Sequence, residues 1–231
     1  LRIGVTGYMV TYPAENFPGW MITYSPRPKD TDCYEPDSIR RLLNESAATA
    51  AADSEPHMAA LTDWPDTSDF AQYPRETTEF RVGRALHRIR ADLRTGLWLL
   101  RSSERLSREM NPDLTIYYTH VTDEAGHLFW RYFEPEAYPD ATNAEDLDSL
   151  KNVLPGTYEF ADYALGRLRA ALGPRLNVIV VSDHGMHADP QGTRAYGTNP
   201  LLEALGFLTY RERDTGEKRV DYALTRVFDE T

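Results

Sequence analysis

The sequence predicts an α/β fold, a mostly parallel sheet layered with helices. Three observations predict it. Short β-branched runs alternate along the chain with long amphipathic stretches, the pattern of strand–helix–strand units. Gly and Pro punctuate the junctions between them. Two of the apolar runs, 114–121 and 177–181, end on acidic and histidine side chains. In open parallel sheets, the carboxyl ends of strands are where ligands bind.

Taken in order, "LRIGVTGYMV" has strand composition, and "TYPAENFPG" after it is a loop set by two prolines and a glycine. Residues 25–35 are polar and proline-punctuated. A helix is predicted from about Asp37 through "IRRLLNESAATAAA". Residues 53–74, with Pro56, Pro65, Pro74 and many acids, read as an irregular surface excursion, so about 25–80 interrupts the core pattern. In residues 75–109, Phe80, Leu86, Ile89, Leu93, Leu97 and Leu100 recur at threes and fours, which predicts a long helix with a solvated arginine face. Asn111-Pro112 stops it. "DLTIYYTHV" reads as a strand and "TDEAGHLFWRYF" as a helix capped by Thr122 or Asp123. An acidic loop is expected over 134–156. The helix "TYEFADYALGRLRAALG" closes at Gly173-Pro174. "NVIVV" then reads as a buried strand, "PLLEALG" as a short helix, and 207–224 as a hairpin turning at Asp214-Thr215-Gly216.

A length of 231 residues is read as a single catalytic domain, 1–231, and a partial one. The chain opens on what looks like an interior strand, without Met, and stops without a closing element. It is therefore expected to be truncated at both ends. The net charge of −11 argues against bulk nucleic-acid binding, which needs clustered Lys and Arg. No apolar run reaches the length of a membrane span. One cysteine, Cys33, allows no internal disulfide. Oligomeric state and compartment are not legible.

The chemistry concentrates in two motifs. Asp123-x-x-x-His127 follows the first strand, with a spacing that puts both side chains on one face of a helical turn. Asp183-His184 follows the second, where Gly185 would permit a sharp turn. Carboxylate oxygen with imidazole nitrogen suits Zn, and also Mn or Fe. The alternative is structural: histidines bonded to backbone groups and acids serving as helix N-caps. His120 is read as a packed strand residue rather than a third ligand, and His187 as a loop residue. The aromatics Phe129, Trp130, Tyr132 and Phe133 are read as core packing behind the ligand helix.

"VIVVSDHGM" together with "YYTHVTDEAGHLFWRYFEP" resembles the type I phosphodiesterase/nucleotide pyrophosphatase family of the alkaline phosphatase superfamily. "IGVTGYMVTYPAENFPGWMIT" is similar to the strand and loop after that family's nucleophile helix. The resemblance implies an α/β/α sandwich of alkaline-phosphatase type and metal-dependent hydrolysis of a phosphodiester or phosphoanhydride in a small phosphorylated substrate. It implies two divalent metal ions, zinc first, with Asp123 and His127 on one and Asp183 and His184 on the other. A third ligand histidine would lie downstream of residue 231. The nucleophile would lie upstream of residue 1: Thr6, Thr11 and Thr23 lack its context and read as strand and loop residues. The segment alone is therefore expected to be inactive. Alternatives are a phosphomonoesterase or phosphomutase of the same superfamily, or a non-catalytic metal- or ligand-binding relative. A sulfatase pattern is not met by Cys33-Tyr34-Glu35-Pro36. If both motifs serve one site, the Asp123 and Asp183 carboxylates should meet within roughly 8 Å, beyond two parallel strands.

Overall fold

Strand β1 (Ile3–Tyr8) is the middle of the sheet because both its edges find parallel partners. The computed structural model describes residues 1–9, 11–24, 34–35, 37–64, 69–138, 144–189, 198–212 and 218–227. On one side β1 pairs with β2 (Gly19–Thr23), in the register Gly4↔Trp20 and Thr6↔Ile22. On the other it pairs with β4 (Leu114–Tyr117), Gly4↔Thr115 and Thr6↔Tyr117. The short β3 (Tyr34–Glu35) adds antiparallel to β2, giving the order β3-β2-β1-β4.

Close packing dictates a glycine at two points in this sheet. A Cβ on Gly4 would sit 2.1 Å from the Trp20 ring, which is fully buried and donates Nε1–H to Thr6 Oγ1 at 3.1 Å. At Gly19 the backbone has φ +134° and a Cβ would lie 1.8 Å from the Ile3 carbonyl oxygen, so only glycine can open β2.

One long helix packs on this sheet, and other helices pack against it. A 3₁₀ turn (Asp37–Ile39) leads into α1 (Arg40–Leu61), and α2 (Thr78–Met110) lies against it. The predicted heptad-like positions of α2 are its core: Ile89, Leu93, Leu97 and Leu100 are fully buried. Thr77 caps its start, accepting from Phe80 N, and Asn111 ends it in the left-handed conformation. Helix α3 is Val121–Phe133, α4 is Ala144–Leu150 and α5 is Val153–Leu172. Pro155 sits in the first turn of α5, where no N–H is needed. Gly173 closes that helix with φ 91°.

Four expectations are corrected here. Helix α1 continues to Leu61, through Pro56, whose ring is on the exposed face while Ser54, Met58 and Leu61 are buried; packing outweighs the lost backbone bond. The arginines of α2 are not simply solvated. Arg101 reaches Asp53 at 3.1 Å, Arg94 reaches Glu55 at 3.2 Å and Arg105 reaches Glu45 at 2.9 Å, all on α1. The acidic stretch 134–156 contains a 3₁₀ turn (Pro135–Ala137) and α4, because Leu147 and Leu150 at helical spacing are drawn into the core. The fourth is the largest. Residues 177–181 form no strand: Ile179 is 86%, Val180 78% and Val181 86% exposed. A strand is a pairing, and these residues have no ladder partner among the described residues; apolar composition alone supplies none.

That correction has a sharp test. Ile179→Asp is expected to change unfolding free energy by no more than about 0.5 kcal/mol, as for other exposed substitutions. A loss of about 3 kcal/mol in chemical denaturation would return the segment to a buried strand.

The chain divides into two units, Leu1–Ala188 and Asp189–Thr231. In the second, α6 (Thr198–Ala204) precedes an antiparallel hairpin of β5 (Tyr210–Glu212) and β6 (Lys218–Val220), with Tyr210 opposite Val220. Leu208 is its buried anchor. The expected turn at 214–216, Cys33 and most of the proline-rich stretch 25–35 lie outside the described residues.

Candidate functional site

The three parallel strands end together, and their continuations build the site. Tyr8 ends β1, Tyr24 follows β2 and Tyr118 follows β4. Their rings meet edge to face, Tyr8–Tyr118 at 6.0 Å and Tyr24–Tyr118 at 5.9 Å. Burial, and then the nearby Asp92, push the Tyr24 hydroxyl up to about 12, so it stays protonated. None of these tyrosines stands out in the sequence, because each merely ends or follows a strand.

Strand β4 stops at Tyr117, so His120 is not a strand residue. It is the residue before α3, with its carbonyl accepting from Glu124 N at 3.1 Å, and its ring lies against Tyr24 at 5.6 Å. Neither Thr122 nor Asp123 caps the helix; both are inside it. The first turn of α3 therefore presents Asp123 and Glu124, and the second presents His127.

Asp123 is the hub. Its Oδ2 lies 3.0 Å from His120 Nε2. Its Oδ1 is buried and has no hydrogen-bond partner, yet it faces two imidazole nitrogens, His127 Nε2 and His184 Nε2, each at 3.6 Å. His184 Nδ1 lies 2.9 Å from the Gly185 carbonyl oxygen, which can only accept, so Nδ1 carries the hydrogen. In the neutral ring Nε2 then offers a lone pair toward a carboxylate lone pair. Two acceptors facing each other repel unless a cation lies between them. The Gly185 carbonyl first, and then Asp183 and Asp123, raise the pKa of His184, the direction expected where positive charge is favoured. A separation of 3.6 Å is also too long for a hydrogen bond, and near that of two ligands each about 2.0–2.1 Å from one ion. The donor set suits a divalent metal.

Of the four ligand residues predicted, the structure thus brings Asp123, His127 and His184 together. Asp183 is at the rim, mostly exposed, with Oδ2 at 3.9 Å from His184 Nε2. The two aspartates flank one imidazole, although no second strand carries Asp183 there. The loop is seated differently from the expectation. Gly185 does not adopt the left-handed backbone and a side chain on it would meet nothing. The close approach is at Gly126 on α3, where a Cβ would lie 2.0 Å from Met186 Sδ.

A second group was not legible in the sequence. Asp92 on α2, His120 and Glu124 offer ligand atoms within 4.8 Å of one another. Burial raises the Asp92 pKa, and His120 opposes the rise. Glu124 is also engaged by the Arg88 guanidinium, which supplies a positive charge to that end of the group. The spacing His120-x-x-x-Glu124 is the signal its sequence offers; Asp92 has none, since only the fold of α2 over β4 delivers it.

The remaining candidates are structural. Thr6 accepts from Trp20, Thr11 donates to the Tyr8 carbonyl at 2.6 Å, and Thr23 is buried in β2. His187 Nδ1 bonds the Ala188 carbonyl at 2.7 Å, and His57 packs on Phe160 and Tyr163. Phe129 and Tyr132 are core, as expected, while Phe133 is exposed.

No described helix is long and apolar enough to cross a membrane. No curated protein and no solved structure gives a significant match to the chain. The family model for type I phosphodiesterase / nucleotide pyrophosphatase matches residues 8–227, nearly the whole chain and both motifs. Such proteins are phosphodiesterase- and pyrophosphatase-type hydrolases, typically metal-dependent, acting on small phosphorylated substrates. With a sheet whose three main strands are parallel and a long helix packed on it, the chain belongs to the type I phosphodiesterase/nucleotide pyrophosphatase family of the alkaline phosphatase superfamily.

Proposed function

We propose that this protein uses Asp123, His127, Asp183 and His184 to hold divalent metal, two ions with zinc the first choice, for hydrolysis of a phosphodiester or phosphoanhydride. The observation that carries this is the buried, unpartnered Oδ1 of Asp123 facing two imidazole nitrogens. Asp123 and His127 are assigned to one ion and Asp183 and His184 to the other. Bound metal supplies Lewis-acid charge for a phosphoryl oxygen and lowers the pKa of a coordinated hydroxyl. The chain's own part is to fix the donors. The helical turn of α3 holds Asp123 and His127 one above the other. The Gly185 carbonyl sets the His184 tautomer that leaves Nε2 free. Tyr24 and Tyr118, both protonated, wall the same end of the sheet and add no negative charge to compete with a phosphate.

The test is calorimetry of chelator-stripped protein with zinc or manganese, with hydrolysis of an aryl phosphodiester against the aryl phosphomonoester by the full-length protein. Expected are metal binding abolished in His184→Ala and diester preference over monoester. Monoester preference moves the assignment to the phosphomonoesterase reading. Metal binding without any hydrolysis moves it to a binding relative. Undiminished binding in both His184→Ala and Asp123→Ala removes the site.

A further inference from the structure

His120 lies between two carboxylates of opposite standing. Asp123 belongs to the proposed metal site; Asp92, on a different helix, does not. His120 Nε2 lies 3.0 Å from Asp123 Oδ2, and Nδ1 lies 3.9 Å from Asp92 Oδ2 with no hydrogen-bond partner of its own. The Asp123 oxygen is the nearer acceptor, so a proton on Nε2 is the one placed to serve it. The ring is held by more than that contact. Tyr24 packs edge-on at 5.6 Å, and backbone at His120 is fixed by the first hydrogen bond of α3.

The consequence falls on Asp123. A carboxylate rotates about its last torsion with little cost, because sp³–sp² torsions are broad. Committing Oδ2 to His120 stops that rotation and leaves Oδ1 as the one oxygen presented to His127 and His184. We propose that His120 is a positioning residue: its Nε2–H holds the Asp123 carboxylate in the orientation that binds metal. This rests on the reading of Asp123 as a metal ligand. It assigns His120 a role through Asp123, not as a ligand in its own right and not as the packed strand residue the sequence suggested. Ligand groups held by a second hydrogen bond lose about 10–100-fold in metal affinity when that partner is removed.

The experiment compares wild type, His120→Ala, His120→Gln and Asp123→Ala, each stripped with chelator, by zinc calorimetry for affinity and stoichiometry and by metal-free thermal melting. His120→Ala is expected to bind the same number of ions about 10–100-fold more weakly. His120→Gln, whose amide N–H can reach the same oxygen, is expected to recover most of that loss. A purely structural role would lower the metal-free melt and would not be rescued by the amide. Three results overturn the proposal: unchanged affinity in His120→Ala, a glutamine variant no better than alanine, or a lost metal equivalent with the rest unweakened. The last would make His120 a ligand with Asp92 and Glu124. If His120→Ala does not fold, full affinity in His120→Gln still supports it and alanine-like weakening in a folded His120→Gln still overturns it. Unimpaired binding in Asp123→Ala is a different failure, that of the metal reading itself.

Discussion

Replacing Arg167 by methionine is expected to cost about 3–5 kcal/mol of folding stability, the range for breaking a buried ion pair. The reason lies in Glu104, a carboxylate on α2 that is only 2% exposed. Arg167 from α5 grips it with two bonds, Nε to Oε1 at 2.6 Å and Nη2 to Oε2 at 3.1 Å. Arg101 adds a single longer contact at 3.5 Å. Removing Arg167 leaves a buried charge with that one partner, and the desolvation penalty is no longer offset. The Arg101 contact and the partial exposure of Arg167 place the cost at the lower end, about 3 kcal/mol. A chain of this length should then melt roughly 10 °C lower. The companion variant Arg167→Met with Glu104→Leu should regain most of the loss, because an apolar pair can fill the same space without a charge to desolvate. Chemical denaturation of the two variants decides it. A single variant within 1 kcal/mol of wild type, or a double variant no better than the single, would mean that the α2–α5 clasp is ornamental.

The second large effect is expected at Gly126. A side chain there has no room: its Cβ would lie 2.0 Å from Met186 Sδ and 2.9 Å from its terminal methyl. Methionine is flexible, so Gly126→Ala should be tolerated, helped by the better helix propensity of alanine. Gly126→Val adds two methyls and forces Met186 off α3, at about 1–3 kcal/mol of overpacking. Met186 is two residues from His184, so the imidazole should leave Asp123 with it. Zinc affinity is expected to fall by about 10–100-fold, as for loss of other supporting contacts. The decisive control is Gly126→Val with Met186→Ala, which vacates the space. If affinity does not return in the double variant, the seat of the loop on α3 is not what holds His184.

Periodicity made α2 and α5 legible, since Ile89, Leu93, Leu97 and Leu100 state their burial by spacing alone. The strands β1 and β4 were readable from β-branched content. The proposed ligand pairs stand out in the sequence because Asp123 and His127 sit a helical turn apart, and Asp183 and His184 are adjacent. What failed depends on partners distant in sequence. Whether 177–181 is paired cannot be known from the run itself. The grouping of His120 and Glu124 with Asp92 depends on a residue 28 positions before His120, on another element. The arginines of α2 looked solvated because their acids are on α1. Gly185 looked like the essential glycine because it stands inside the motif, whereas Gly126 carries the steric constraint from the other side.

The exposed run at 178–181 bears on how the protein behaves in a crowded solution. It leads directly into Asp183 and His184, so the site's approach is an exposed apolar stretch with no ladder partner among the described residues. The outer face of the sheet's last strand, β4, leaves Leu114 and Ile116 partly open as well. Open backbone edges of this composition recruit other chains by strand addition. Self-association then scales with protein concentration rather than with unfolding, and each such event would occlude the path to Asp123. Apparent activity per molecule should therefore be read at high dilution, where the stretch meets water and not a neighbour.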